Sequence, residues 1–321
     1  MIFFCLLLVL ALTCDGFGPA YSRLQRSCLK LAHADLFSGM LLSQEEMAIA
    51  NVAEQAARLA GAAILTGSGS IDLSCDIESK IGSRDIVTEV DKRAQDLIQQ
   101  VIHQAFPDHV FLGEEDVAPG AEASAQAVSR LANEEHLWIV DPIDGTTNFA
   151  HGMPLSGVII AYASKGVCVF GLIFDPFRDE MFVSWRGKGA HMNGKQIKCC
   201  STPDLSGAVV ATGSPPNLAA LAACLRATEL ISPKVRTVRM LGSAAVMLSW
   251  VAMGRLTAYF EADLNVWDLA AGALMIEEAG GRVTDAHGGR FELTTRNLVA
   301  TNGKIHDALL VDMVDSEMWI K

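Results

Sequence analysis

The sequence predicts an α+β protein in which an antiparallel sheet is joined to a more parallel one, and both are stacked in layers with helices. Three observations carry that reading. Strand-like runs cluster at 137–140, 157–163, 167–174 and 180–185. Beyond them, strands at 257–261, 282–284 and 298–300 alternate with helical patterns. Half of the 321 residues are apolar, without repeats or low-complexity linkers, which suits one large domain or two intimate subdomains.

The elements follow in chain order, beginning with a segment set apart from the fold. "MIFFCLLLVLALTC" holds an apolar run of about 13 residues, where a membrane span needs roughly 20. It resembles a signal-peptide core, though no basic residue precedes it. "GFGPAYSRLQRSCLKLAHADLF" follows, with Arg23, Arg26, Lys30, several hydroxyls and the single acid Asp35. That order resembles the bipartite presequences of algae with secondary plastids, in which a phenylalanine such as Phe17 follows the signal core. Residues 1–42 are accordingly read as a presequence for plastid import, with plain secretion as the alternative, and 43–321 as the folded domain. No stable membrane span is expected in the mature form.

Ser43 opens the first helix with a capping box closed by Glu46. Ile49, Val52, Ala53, Ala56, Leu59, Ala60 and Ala63 then keep helical spacing as far as Gly67. A second helix over 88–105 lines up Val90, Ala94, Leu97, Ile98, Val101 and Ile102, and Pro107 stops it. Later helices are expected over 243–253 and 266–279. "EEAGG", 277–281, reads as a helix end with a glycine cap.

Composition excludes some functions. The net charge is −12 and basic residues do not cluster, so a nucleic-acid groove, which needs grouped Lys and Arg, is not expected. Three of the eight cysteines (Cys5, Cys14, Cys28) lie in the presequence, leaving Cys75, Cys168, Cys199, Cys200 and Cys224. An odd number without C-x-x-C fits neither a disulfide framework nor a zinc site and suits a reducing interior. The pair Cys199–Cys200, beside Lys195 and Lys198, reads as part of a surface hairpin. The eight histidines show no ligand spacing.

The chemistry is concentrated in acids. "WIVDPIDGTTNF" runs an apolar strand into Asp141 and Asp144, with Pro142 between them and Gly145 and Thr146 after. Carboxylates at the mouth of an apolar strand are costly unless their charge is satisfied. A turn over 141–144 would aim both side chains and the Ile143 carbonyl at one spot. "FLGEED" places Glu114 and Glu115 after another apolar run, and "NVWDLAAG" places Asp268 at a helix start. Singly, these are ordinary: a turn-forming D-x-x-D, a solvated charge pair, a helix N-terminal acid. A calcium loop would need an acid or amide where Ile143 stands. Together they form a hard oxygen donor set without His or Cys and without a Lys or Arg partner in any motif, which selects Mg2+ or Mn2+ over zinc.

"DIVTEVD", "GEED", "DPIDGTTNF" and "VWDLAAGALMIEEAGG" resemble, in order and spacing, the successive motifs of the inositol monophosphatase family, over about residues 45–315. The resemblance implies a layered αβαβα sandwich of the inositol monophosphatase and fructose-1,6-bisphosphatase type. It also implies a lithium-sensitive hydrolase that removes phosphate from a small-molecule phosphomonoester, and a homodimer. It assigns Glu114, Asp141 and the Ile143 carbonyl to a first Mg2+ ion. Asp141, Asp144 and Asp268 go to a second, and Glu114 with water to a third. Thr146 would bind the attacking water with Asp91 orienting its hydroxyl, so that Glu114, Thr146 and Asp91 form the catalytic set. Lys80 and Asp85 match positions of less certain role. Gly145, Thr146, Gly242, Ser243, Ala244, Glu261 and Asp268 match substrate-binding positions.

Thr147 within "GTTNF" favours the inositol branch, since the histidinol-phosphatase branch resembles "GTKSF". The expected reaction is hydrolysis of inositol 1-phosphate to myo-inositol, within inositol phosphate metabolism. Histidinol phosphate, galactose 1-phosphate, glycerol 2-phosphate and a 3′(2′),5′-bisphosphate nucleotide are the alternative substrates. A regulatory scaffold on the same fold is the non-enzymatic alternative, and the full ligand set argues against it.

Overall fold

The computed structural model describes residues 36–37, 39–69, 71, 77–80 and 84–317. The presequence features, from the apolar run through Phe17 to Lys30, lie outside the described residues, as does Cys75.

Helix α1 (Gln44–Gly67) starts at the Ser43–Glu46 capping box: the Glu46 amide donates to Ser43 Oγ at 3.2 Å and the Ser43 amide donates to Glu46 at 2.6 Å. A short hairpin, β1 (Ile77–Ser79) with β2 (Ile86–Thr88), leads into α2 (Glu89–Ala105), which opens on a second capping box, Thr88 with Asp91. Next come β3 (Val110–Gly113), a 3-10 turn (Glu114–Asp116), α3 (Ala121–Leu131) and β4 (Leu137–Asp144). The short helix α4 (Thr146–Ala150) precedes the antiparallel run β5 (Gly157–Ser164), β6 (Val167–Asp175), β7 (Glu180–Trp185), β8 (Ala190–Met192) and β9 (Lys195–Ile197). These strands form one sheet in the order β3-β4-β5-β6-β7-β8-β9, in which only β3 and β4 pair in parallel.

The rest of the chain alternates: β10 (Val209–Thr212), α5 (Leu218–Ile231), β11 (Thr237–Met240), α6 (Ala244–Ala252), β12 (Ala258–Glu261), α7 (Val266–Glu278), β13 (Arg282–Asp285), β14 (Leu298–Thr301) and α8 (His306–Asp315). Its sheet has the order β11-β10-β12-β14-β13, parallel across β11-β10-β12 and antiparallel beyond. The expected division into an antiparallel and a more parallel sheet is therefore found.

Strand alternation builds the layers. Trp138 and Val140 of β4 pack with Ile49, Ala53, Ala57 and Ile98 of α1 and α2, whereas Leu137 and Ile139 pack with α6 and α7. In β12, Tyr259 faces that same α6–α7 layer, while Ala258 and Phe260 face α5 and α8. The result is helix, sheet, helix, sheet, helix. Leu36, Phe37 and Met40, upstream of the expected start of the domain, are buried in the cluster under α1.

Two local expectations are corrected. Residues 141–144 are not a free turn, because β4 continues through them to Asp144 with all its residues buried. The pairing with β5 shifts register between Asp141 and Asp144, a bulge where Pro142 cannot donate to a ladder. Cys199 and Cys200 follow the β8–β9 hairpin but are partly buried, since the Cys199 amide donates to the Ala279 carbonyl at the end of α7.

Candidate active site

The parallel register Gly113↔Val140 puts Glu114, just past β3, beside Asp141, just past the apolar part of β4. The third acid arrives from the other direction. Asp268 is the third residue of α7, and its side chain accepts from the Asn265 amide at 2.6 Å to complete a capping box. Carboxylate oxygens of Glu114, Asp141 and Asp268 lie within 4.8 Å of one another. The bulge shapes the same point: the Ile143 amide donates to Asp141 Oδ1 at 3.0 Å, which pins that side chain across the bend.

Asp144 belongs to the same electrostatic group but is held differently. Its carboxylate caps α6, accepting from the Ala244 amide at 3.1 Å, from the Ala245 amide at 2.8 Å and from the Ser243 hydroxyl. The Ile143 carbonyl is also already engaged, accepting from Thr146 Oγ1 at 3.1 Å. The three acids that meet thus draw on both expected ion sites, and Asp144 acts on Asp141 from beside them.

Burial dominates the electrostatics. It pushes the carboxyls of Asp141 and Asp268 well above the usual range, and the neighbouring Glu114 and Asp144 push them further. Burial carries Asp144 up to about 6 against the pull of its Ser243, Ala245 and Ala244 donors. Carboxylates this close repel unless protonated or bridged by a cation, and an all-oxygen donor set suits a hard divalent ion.

One cation is already present, which corrects the expectation that the acids lack a basic partner. Lys80 Nζ donates to Glu114 at 2.8 Å and to Glu115 at 2.9 Å. Burial opposes its charge, but the two glutamates hold it firmly protonated. Glu115 itself is raised to about 7, by burial first and then by Glu114. Gln95 fixes the turn beneath by accepting from the Glu115 amide at 2.9 Å.

Asp91 and Thr146 meet as expected. Thr146 Oγ1 stands 3.0 Å from Asp91 Oδ1, and the Thr88 amide donates to Asp91 Oδ2 at 2.8 Å. Asp91 is fully enclosed, and burial lifts it to about 6. Gly145 adopts φ +86, a left-handed turn that releases the chain into α4, and a Cβ there would strike the Leu155 carbonyl at 2.9 Å.

Asn148 ties the walls together, donating to the Leu155 carbonyl at 2.8 Å and to the Leu241 carbonyl at 2.7 Å. Its amide also lies within 3.2 Å of where a Gly242 side chain would begin, and Gly242 and Ser243 are brought against Gly145. Glu261 ends β12, is buried, and accepts from the Tyr259 hydroxyl. Burial raises its carboxyl to about 8. Lys80, Asn148 and Tyr259 were not assigned roles from sequence. Among the described residues, histidine does not enter the acid group, and His306 is buried between the Thr284 and Thr301 hydroxyls.

A family model described as the inositol monophosphatase family matches residues 45–318. Inositol monophosphatase 2 of Solanum lycopersicum is 41% identical over 270 residues, which are 83% of this chain and 98% of the relative. Nus factor SuhB of Escherichia coli is 37% identical over 267 residues, 83% of this chain and 95% of that protein. The solved structure of an IMPase from Thermotoga maritima superposes with a TM-score of 0.74 at 31% identity, covering 84% of this chain and 99% of its own. Inositol monophosphatase from Anabaena gives 0.70 at 31% identity, covering 85% and 97%.

Five layers with an acid cluster at the meeting of both sheets define a phosphatase of the metal-dependent kind that acts on small phosphate esters. The chain belongs to the inositol monophosphatase family.

Proposed function

We propose that this phosphatase uses Mg2+, with Mn2+ able to replace it, to hydrolyse inositol 1-phosphate to myo-inositol and phosphate. The observation that carries the reading is the convergence of Glu114, Asp141 and Asp268 within 4.8 Å. These three acids would hold the ions, together with Asp144 and the Ile143 carbonyl, each of which keeps a lone pair beyond its present hydrogen bonds. When bound, divalent cations invert the local charge, activate the attacking water and stabilise the leaving oxygen.

The chain's own groups do the positioning. With the Thr146 hydrogen directed to Asp91 or to the Ile143 carbonyl, its oxygen is left to accept from the attacking water. Gly145 and the Gly242–Ala244 segment wall the place where a phosphate would lie. Glu261 offers an acceptor to ring hydroxyls, which favours a polyol phosphate over a simple alkyl ester. By family resemblance the reading extends to inhibition by Li+, to a homodimer, and to a mature form made in the plastid after loss of the presequence.

A phosphate-release panel tests the substrate. Inositol 1-phosphate, histidinol phosphate, fructose 1,6-bisphosphate and adenosine 3′,5′-bisphosphate are each offered with and without Mg2+. The proposal expects the highest kcat/KM for inositol 1-phosphate and negligible release without the ion. A clear preference for either bisphosphate would sink the substrate assignment, and activity in chelator would sink the metal.

A further inference from the structure

We infer that Tyr259 and Gly213 are positioning residues that together fix Glu261 as a ring-hydroxyl acceptor, and so set the selectivity for polyol phosphates. The inference rests on the substrate class proposed above.

Alternation along β12 puts Tyr259 and Glu261, two residues apart, on the same face of the sheet. Tyr259 is wholly buried, and a buried phenol needs a hydrogen-bond partner. It donates to Oε2 of Glu261. With Oε2 occupied in this way, Oε1 keeps its lone pairs for a second donor, the part taken by a ring hydroxyl. The tyrosine therefore holds the carboxylate at one oxygen and leaves the other for recognition.

Gly213 acts from the neighbouring strand. It directly follows β10, whose Thr212 pairs with Phe260, so the glycine lies alongside Glu261. A Cβ at 213 would stand 1.7 Å from Oε2, 1.9 Å from Cδ and 2.0 Å from Oε1 of Glu261. Gly213 is not among the glycines with positive φ. Backbone freedom does not explain it, and space does: any side chain at 213 evicts the carboxylate. The slot is thus bounded by a donor within β12 and by a missing side chain beside it. Neither residue is a candidate ion ligand.

Kinetics on two substrates, inositol 1-phosphate and 4-nitrophenyl phosphate, whose ring carries no hydroxyl, test this with Mg2+ present at about pH 9, where Glu261 is ionised. Tyr259→Phe should raise KM for inositol 1-phosphate by about tenfold, the scale of one hydrogen bond to a charged group, and leave kcat little changed. Gly213→Ala should give the same selective loss by displacing the carboxylate without removing it. Both variants should hydrolyse 4-nitrophenyl phosphate within about twofold of the parent enzyme, since that ester makes no hydrogen bond of this kind to lose. Added to Glu261→Ala, Tyr259→Phe should have no further effect on either substrate. Equal losses on both substrates, no loss on either, or unfolding of both single variants would overturn the inference. A parent enzyme indifferent to the ring would defeat the substrate proposal instead, whereas a selective parent with indifferent variants defeats only this one.

Discussion

Asp141 feels three other carboxylates, Glu114, Asp144 and Asp268, more than any single neighbour relieves. Replacing it with asparagine removes a charge from the centre of the group and keeps the shape. Turnover of Asp141→Asn should fall by on the order of a thousandfold or more, since the group that organises the ions is lost. The same variant should melt higher than the parent in chelator, because repulsion among the remaining acids is relieved. Near-normal turnover at moderate Mg2+ would refute the role given to Asp141. Glu261 predicts a different pattern. At about pH 9, where Glu261 is ionised, Glu261→Ala should raise KM for inositol 1-phosphate by about ten- to a hundredfold and leave 4-nitrophenyl phosphate almost untouched, because a charged hydrogen bond is lost from only one of them. The acids were legible as a set, Glu114 and Asp141 at the ends of apolar runs and Asp268 at a helix start. Lys80 was not legible as a partner of the site, because it reaches Glu114 across 34 residues through tertiary contact alone. Tyr259 reads as any core strand residue until its hydroxyl is placed.

Among the elements, legibility followed capping. The helices opened by Ser43 and Thr88 carry capping boxes, and both are legible in the sequence, the second to within a residue. Helix α3 is preceded by Gly120 and α8 by Ile305, neither of which offers a side-chain cap, and the sequence signals neither helix. Helix α5 has a cap in Asn217, but Leu218 and Leu225 lie on its exposed face and blur the apolar stripe. The walls of the site were likewise hidden, because one amide joins loops far apart in sequence. Asn148→Ala leaves the half-buried carbonyls of Leu155 and Leu241 without their donor and should cost about 1–2 kcal/mol. Urea unfolding would show this as a lower midpoint at unchanged slope. The carbonyl cost belongs to the fold, so the loss should persist with Mg2+ present. A change under about 0.5 kcal/mol would mean that water replaces the amide at no cost.

At the scale of the whole molecule, two kinds of buried group oppose each other in pH. Asp144, Glu115 and Glu261 are raised to about 6, 7 and 8, so the folded chain holds protons that the unfolded chain has released. Their contribution to stability is lost as pH rises through those values. His306, lowered by burial to about 4, has the opposite sign and loses its contribution only as pH falls below about 6.5. Between about pH 6.5 and 8.5 the acids therefore act alone. The metal-free protein should melt lower at the upper end of that range, and excess Mg2+ should erase most of the difference. A metal-free melting temperature that rises with pH there would contradict the site's electrostatics. Domain limits make a second test. A chain begun at Asp35 keeps Leu36, Phe37 and Met40 in the core, whereas one begun at Leu42 exposes the surface they cover. Each lost side chain should cost roughly 1.5–3 kcal/mol at most. Both chains should hydrolyse substrate in the cold, and the shorter should fail first on heating.

The acids converge from separate places along the chain: Glu114 and Asp141 from the ends of two strands in the first sheet, and Asp268 from the start of a helix that packs between the sheets. A polypeptide leaving the ribosome has made "DPIDGTTNF" more than a hundred residues before it makes Asp268. Until that later segment is synthesised and docked, the early acids have no third partner. The growing chain should therefore lack the assembled acid group until Asp268 has been made and docked.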